Sequence, residues 1–226
     1  MKKANIVFVH GLWADGSCWN DVIPSLLAEG HDVISVQNPL STLADDVAAT
    51  NRALDKLEGP IILIGHSWGG VVITAAGVHP KVRALVYVAA MAPDKDETLG
   101  GLTEHYPTAA LQHLDIADGY IRLTKEGIQK YFASDVPEKQ TALMYTTQGP
   151  ANAALFGEKM GTPAWKEKPS WYIVASKDDA ISPELERIMA KRINAKITEL
   201  DTSHVPMISK PEEVLKVIRE AIASVM

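Results

Sequence analysis

One stretch in the first third of the chain constrains the fold more than any other. It runs from Ile61 to Gly70 and reads Ile-Ile-Leu-Ile-Gly-His-Ser-Trp-Gly-Gly. The apolar residues at its start are typical of a buried strand, and the residues after it have a helical pattern. Ser67 stands at the turn between them, flanked by Gly65 and Gly69, which have no Cβ and let neighbouring backbone approach closely. The stretch predicts a strand, a tight turn that raises a serine hydroxyl clear of the sheet, and a helix.

The composition fits one domain of ordinary size, residues 1–226. Of the 226 residues, 46% are hydrophobic and 22% are charged, so the chain is long enough for a full core without disulfide support. It has one cysteine, Cys18, which excludes an internal disulfide. The formal net charge is −6 and Lys and Arg do not cluster, which argues against a nucleic acid or an anionic membrane as partner and favours a small molecule.

Neither a targeting segment nor a membrane span is predicted. The apolar run that follows the first lysines ends at His10, which is too short for the core of a signal peptide. The sequence also lacks a run of about 18 apolar residues. We therefore expect a cytoplasmic protein that contacts no membrane.

Strand-like and helix-like segments alternate along the chain. Buried-type strands that alternate with amphipathic helices predict an α/β fold with a mostly parallel six-stranded sheet. The helix after Ser67 is expected to reach about His79, and Ser209 and Glu212 have the spacing of a capping box. The predicted strands are Asn5–His10, Val33–Val36, Ile61–Ile64, Val82–Ala90, Trp171–Ala175 and Ala195–Leu200.

The pattern changes between about residues 93 and 168. This segment holds polar turns, prolines and short amphipathic runs, and it predicts a short helical cap with no strand. Its aromatic residues suggest a pocket. We expect Tyr106, Tyr145 and Trp165 to bind substrate, together with Trp13 from the loop after the first strand. The alternative, that most of these aromatic residues form a small core of the cap, stays open.

A serine hydroxyl needs a base to become a nucleophile at neutral pH. His204 follows the last predicted strand and Asp178 follows the strand before it. Both therefore belong to the carboxyl edge of the sheet, where ligands of open α/β sheets bind. This placement predicts Ser67 as the nucleophile, His204 as its base and Asp178 as the carboxylate that orients the base. Asp179 and Asp94 remain alternatives for the carboxylate.

Two backbone amides are predicted to form an oxyanion hole. The amide of Trp68 opens a helix, where unpaired N–H groups and the helix dipole favour negative charge. The second donor is expected from the loop after the first strand, with the amide of Leu12 as the candidate and that of Trp13 as the alternative. His10 and His66, beside the motif glycines, are expected to make structural hydrogen bonds.

The sequence predicts neither a cofactor nor a metal. It lacks the glycine patterns of nucleotide-binding loops. Asp45 and Asp46 are adjacent, so on a helix they do not face one way, and no His or Glu completes a metal site. We expect both to be solvated. Cys18 has no evident paired base and is expected to be structural.

Together these motifs resemble those of the α/β-hydrolase superfamily. The loop after the first strand is most similar to that of small esterases in the methylesterase and hydroxynitrile lyase group. The resemblance implies a three-layer fold with six of the usual eight strands, a nucleophile elbow at Ser67, and the same triad and oxyanion residues. The motifs that carry it are His10-Gly11-Leu12-Trp13, Gly65-His66-Ser67-Trp68-Gly69, Asp178-x-x-Ile181-x-Pro183 and Ser203-His204.

The predicted activity is hydrolysis of a small carboxylic ester through an acyl-enzyme. Two alternatives remain. The same scaffold can serve a hydroxynitrile lyase or a cofactor-free oxygenase; the related lyases add a lysine near the site, for which only Lys177 and Lys159 are candidates. The second alternative is a small-ligand receptor with vestigial turnover.

Overall fold

The computed structural model describes residues 3–225. The strands lie in two sheets. The strands are β1 (Asn5–Val9), β2 (Asp32–Val36), β3 (Ile61–Ser67), β4 (Val82–Ala90), β5 (Leu114–Ala117), β6 (Tyr120–Leu123), β7 (Ala151–Asn152), β8 (Ser170–Ala175) and β9 (Lys196–Leu200).

The central sheet has six strands in the order β2-β1-β3-β4-β8-β9. Every neighbouring pair in it is parallel, so each connection must cross over the sheet, and helices make most of these crossovers. The predicted α/β fold is confirmed, and the sheet is wholly parallel. All residues of β1 and β3 are buried, as expected for strands covered by helices on both faces.

Helices pack on both faces of this sheet. On one face α2 packs against α3, and on the other Arg219 bonds to Glu29 at 2.6 Å, joining the last helix to the end of the first. The helices are α1 (Ile23–Ala28), α2 (Leu43–Lys56), α3 (Gly69–Ala76), α4 (Leu99–Glu104), α5 (Lys125–Gly127), α6 (Glu138–Thr147), α7 (Pro183–Arg192), α8 (Pro206–Ser209) and α9 (Pro211–Val225).

The chain between β4 and β8, called the insertion below (residues 91–169), is not purely helical. It contains α4 to α6 and an antiparallel sheet in the order β5-β6-β7, where no strand was predicted. The strands are two to four residues long and partly exposed, with Ile116 64% exposed, so they lack the apolar run of a core strand. The turn Asp118-Gly119 has positive φ at both residues; this pair is a strong hairpin signal that the sequence did contain.

Two predicted helix ends differ from the structure. The helix after Ser67 ends at Ala76, before the predicted His79. The capping box at Ser209 is wrong, because Ser209 closes α8 and α9 begins at Pro211. Within residues 3–225 none of the helices has the length and apolar character needed to cross a bilayer.

Candidate active site

Ser67 is the last residue of β3 and has a left-handed backbone, with φ of +54°. This conformation costs energy for a residue with a Cβ and persists only where the surroundings enforce it. Two glycines make the turn possible. A Cβ on Gly69 would lie 2.3 Å from the carbonyl oxygen of Val9, and one on Gly65 would lie 2.5 Å from the carbonyl oxygen of Gly69. The turn predicted from the Gly-x-Ser-x-Gly spacing is therefore present.

Asp178 and His204 form a buried pair. Nδ1 of His204 lies 2.5 Å from Oδ2 of Asp178, and both side chains are almost completely shielded from solvent. The other carboxylate oxygen, Oδ1, accepts hydrogen bonds from the amides of Ala180 and Ile181 at 2.7 and 2.9 Å. The carboxylate is thus fixed, and it places the imidazole proton on Nδ1. Nε2 of His204 has no hydrogen-bond partner within residues 3–225, so it is available as an acceptor.

The two alternative carboxylates lie elsewhere. Asp94 forms an ion pair with Lys166, with the nearest nitrogen and oxygen 2.6 Å apart. Asp179 is exposed, and the hydrogen bonds of His204 do not include it. Among the three candidate acids, only Asp178 contacts the imidazole of His204.

His66 ties the loop of His204 to the serine turn. Its Nε2 lies 2.8 Å from the carbonyl oxygen of His204. Since a carbonyl only accepts, Nε2 carries the proton. Burial, aided by the neighbouring His204, lowers the pKa of His66 well below its usual value, so the ring stays neutral. Phe132 packs edge-on against His204, with ring centres 4.8 Å apart. The hydroxyl of Ser67 is not itself bonded to Nε2 of His204.

The loop after β1 is held by His10. Its Nε2 accepts the amide of Asn38 at 2.9 Å, while its Nδ1 lies 2.8 Å from the carbonyl oxygen of Gly11. Burial lowers the pKa of His10, which keeps the ring neutral in this arrangement. His10 and His66 thus make the predicted structural hydrogen bonds. The amides of Leu12 and Trp68 donate to no described residue, so both are available to a ligand.

Trp68 is anchored by a buried carboxylate. Its indole Nε1 donates to Oδ2 of Asp46 at 2.8 Å, and Oδ1 of Asp46 accepts the amide of Leu40 at 2.8 Å. Asp46 is fully buried, and this burial raises its pKa. The prediction of a solvated acidic pair is therefore wrong for Asp46, while Asp45 is exposed.

An acidic residue of the insertion holds the segment around His204. Oδ2 of Asp135 accepts the amide of Ser203 at 2.9 Å, and Oδ1 accepts the hydroxyl of Ser209 at 2.8 Å. The hydroxyl of Ser203 also donates to Asp135. No sequence pattern pairs these residues, which are about 70 positions apart. We call this group the Asp135 clamp: Asp135, Ser203 and Ser209.

A narrow cavity of about 30 Å³ opens at Ser67. Trp13, with φ of +57°, lines it and also lines a second pocket of about 340 Å³, which lies between the loop after β1 and α6. Sequence reasoning missed most of the lining, because short apolar segments of the insertion carry no distinctive motif. The cavity is lined by Leu12, Trp13, Ser67, Trp68, Met91, Leu99, Thr103, Leu111, Phe156, Ala180 and Ile181.

The other three aromatic residues predicted to bind substrate lie outside both spaces. Tyr145 stacks under the Arg122 guanidinium, 5.6 Å from its ring centre. The indole of Trp165 donates to the carbonyl of Pro93 at 3.0 Å. Tyr106 packs at the edge of the core. These contacts are with the insertion and the core, and a role of the three residues in substrate binding stays a prediction.

Other reactive groups lie outside the Ser67 cavity. Lys177 is exposed and pairs with Asp201 at 2.8 Å, Lys159 is exposed, and neither lines the Ser67 cavity. Burial raises the pKa of the Cys18 thiol well above its usual value, so the thiol stays protonated. Within the described chain there is no group of three or more His, Cys, Asp or Glu side chains that could hold a metal ion.

A parallel sheet that presents a left-handed serine between a strand and a helix, below an insertion that follows the next strand, is the architecture of an α/β hydrolase. Comparison with family models agrees. The model described as the Alpha/beta hydrolase family matches residues 6–217, and the chain belongs to this family.

Individual relatives refine this assignment. The chain is 27% identical to Methylesterase 18 of Arabidopsis thaliana, with 99% of each chain aligned. It is 35% identical to a carbendazim hydrolyzing esterase of Nocardioides sp. over 115 residues, which are 44% of this chain and 47% of that protein. These matches confirm the predicted likeness to the methylesterase-like group.

Solved structures show the same fold. Polyneuridine aldehyde esterase superposes with a TM-score of 0.84 at 20% identity, covering 97% of this chain and 99% of that one. A pyrethroid hydrolase superposes with a TM-score of 0.84 at 24% identity, covering 99% and 98%. These structures show the fold; the family model and the curated relatives make the chain an esterase-like α/β hydrolase.

Proposed function

We propose that this protein hydrolyses a carboxylic ester through an acyl-enzyme on Ser67. The Ser67 oxygen attacks the ester carbonyl as Nε2 of His204 takes its proton, and the amides of Leu12 and Trp68 hold the resulting oxyanion. His204 then gives the proton to the departing alcohol. A water molecule then attacks the acyl group as Nε2 of His204 takes its proton, and His204 returns that proton to the Ser67 oxygen as the acid leaves, so the free enzyme is restored.

The observation that carries this proposal is the buried Asp178–His204 pair next to the serine turn. Its 2.5 Å contact stabilises the imidazolium that forms during attack and fixes the tautomer that a base requires. His66 strengthens the case, because it directly precedes Ser67 and bonds to the backbone of His204. Catalytic hydrogen bonds in enzymes without substrate are often long and tighten on binding, so the unpaired Nε2 fits a resting base.

The cavity favours a small, uncharged group at the reacting centre. About 30 Å³ is room for roughly two water molecules, which suits a methoxy group. None of the residues that line it is charged. Relatives named methylesterases support the same choice. We therefore propose that the substrates are methyl or similarly short esters whose acid part carries no charged group.

Replacing the nucleophile tests the proposal. Ser67→Ala is expected to lower kcat for methyl and p-nitrophenyl esters on the order of a thousand-fold or more and to abolish labelling by a fluorophosphonate probe. The fold should persist, as checked by circular dichroism. Ser224→Ala, on α9, is the matched control and should behave like the wild type. Labelling or ester hydrolysis that persists in Ser67→Ala would contradict the proposal.

A further inference from the structure

A second carboxyl group lies beneath the proposed site. Glu186, on α7, is fully buried. Its Oε2 accepts the amide of Ala175 at 3.1 Å, at the end of the strand that leads to Asp178. Its Oε1 has no hydrogen-bond partner within residues 3–225. A buried carboxyl oxygen without a donor is costly, so this atom calls for an explanation.

A neighbouring carboxylate offers one. Ala175 joins the two residues, because its amide donates to Glu186 and its carbonyl accepts the amide of Asp178 at 3.3 Å, and Asp178 acts on Glu186 through its charge and a side-chain hydrogen bond. Two buried carboxylates in contact cannot both be ionised without a cation. The adjacent cation, Arg187, turns outward to Glu199 at 2.6 Å, and His204 can act as the base only in its neutral form. Tyr172, the other titratable group nearby, donates its hydroxyl to the carbonyl of Ala90. One proton must therefore lie between the two carboxyl groups.

The proton belongs to Glu186. Asp178 already accepts three hydrogen bonds, from two amides and from His204, so both of its oxygens are engaged as acceptors. Glu186 accepts one, from an amide. Burial, and next the charge of Asp178, raise the pKa of Glu186 well above its usual value. A proton on Oε1 would turn this atom into a donor and give it a partner in Asp178, which removes the unpaired atom.

We propose that Glu186 is a positioning residue of the catalytic site, donating a hydrogen bond from its protonated carboxyl to the carboxylate of Asp178. The inference rests on the proposed function, in which Asp178 supports His204. Glu186 would be the fourth hydrogen-bond donor to Asp178. This bond draws negative charge from the Asp178 carboxylate and weakens the attraction of the carboxylate for the protonated imidazole of His204. Glu186 therefore helps His204 to release its proton and keeps the base active at lower pH.

The pH profile of kcat/KM tests this role. Glu186→Gln keeps a donor without a charge, so the acid limb of the profile should stay in place. Glu186→Leu removes the donor and should move the acid limb to higher pH by about one unit, the size of effect expected for one hydrogen bond to a charged group. Glu184→Gln, exposed on the same helix, is the control.

Two kinetic results would overturn the proposal. If the acid limb of Glu186→Gln moves to lower pH, a negative charge has been removed and Glu186 is ionised in the wild type. If Glu186→Leu changes only the unfolding midpoint and leaves the acid limb in place, the role of Glu186 is structural.

A second measurement needs no turnover. The infrared difference between wild type and Glu186→Gln at neutral pH should contain the carbonyl stretch of a protonated carboxyl group, in the Ser67→Ala background as well. Absence of this band overturns the assignment of Glu186 while leaving Ser67 as the nucleophile. Ester hydrolysis by Ser67→Ala would refute the proposed function and would leave the infrared result intact, so the two failures are distinguishable.

Discussion

Trp13 separates two spaces of very different size. It lines the cavity of about 30 Å³ at Ser67 and the pocket of about 340 Å³ beside α6. Its indole Nε1 is buried without a hydrogen-bond partner among the described residues, so packing alone holds the ring, chiefly edge-on against Phe132 with ring centres 6.3 Å apart. We therefore expect the ring to limit the size of substrate that reaches Ser67.

Removing this ring should broaden specificity. Trp13→Ala is expected to join the two spaces and to raise kcat/KM for bulky esters relative to methyl esters by about ten-fold or more, since each accommodated methylene is worth about 1 kcal/mol. The ratio is measured on esters of graded size, and Trp13→Phe serves as the milder variant if alanine impairs folding. Trp165→Ala, outside both spaces, should leave the ratio unchanged. An unaltered ratio in Trp13→Ala would show that the ring is not the barrier.

Individual residues differ in how far the sequence foretells their surroundings. The placement of Ser67, Asp178 and His204 at one edge of the sheet was predictable, because each lies at or after the carboxyl end of a strand and these ends share one edge in a parallel sheet. Asp46 was not. It reads as an ordinary acidic residue in the first turn of a helix, and only the packing of α2 against α3 brings it to the indole of Trp68. Contacts between distant segments leave no periodic trace in a sequence.

The Asp135 clamp links the insertion to the segment of the core that carries His204. Asp135→Ala removes the acceptor for one amide and two hydroxyl groups, so the His204 segment should loosen. We expect kcat to fall on the order of ten- to a hundred-fold, since small misplacements of catalytic groups are costly, with a smaller change in KM. Steady-state kinetics measure both constants.

Ser209→Ala supplies the matched control for the clamp. It removes one of the three hydrogen bonds to Asp135 and keeps both bonds from Ser203, so kcat should fall less than in Asp135→Ala. Wild-type kinetics in Asp135→Ala would mean that the clamp does not position His204.

Elements of the sheet were better predicted than those of the insertion. Continuous apolar runs bounded by turns mark β3 and β4, and β4 begins and ends where predicted. The insertion has short, partly exposed elements whose pairing depends on the surface beneath them, so local pattern says little. The hairpin turn Asp118-Gly119 was the one local signal that could have identified strands there.

At the scale of the whole molecule, buried neutral histidines make folding sensitive to acid. Burial lowers the pKa of His10 and of His66, so below about pH 6.5 the unfolded chain binds protons that the folded protein does not. Stability therefore falls as the pH drops below this value. Each histidine contributes up to about 1.4 kcal/mol per pH unit.

Urea unfolding at several pH values between 5 and 7.5 measures this dependence. His10→Gln keeps an acceptor for the amide of Asn38 and removes the titrating group. The decline in unfolding free energy below about pH 6.5 should therefore be shallower than in the wild type by up to about 1.4 kcal/mol per unit. His105→Gln, exposed on the insertion, should keep the wild-type slope. Equal slopes in His10→Gln and wild type would exclude His10 as a source of acid sensitivity.

The Asp135 clamp has a consequence for exchanging parts between relatives. A chimaera that takes its insertion from another esterase would have a different substrate pocket. It would also lose Asp135, the acceptor for the hydrogen bonds of Ser203 and Ser209. We expect such a chimaera to keep its turnover in only two cases. Either the new insertion brings a carboxylate to the position of Asp135, or Ser203 and Ser209 are replaced together with the insertion. The boundary of the transferable unit therefore includes part of the core.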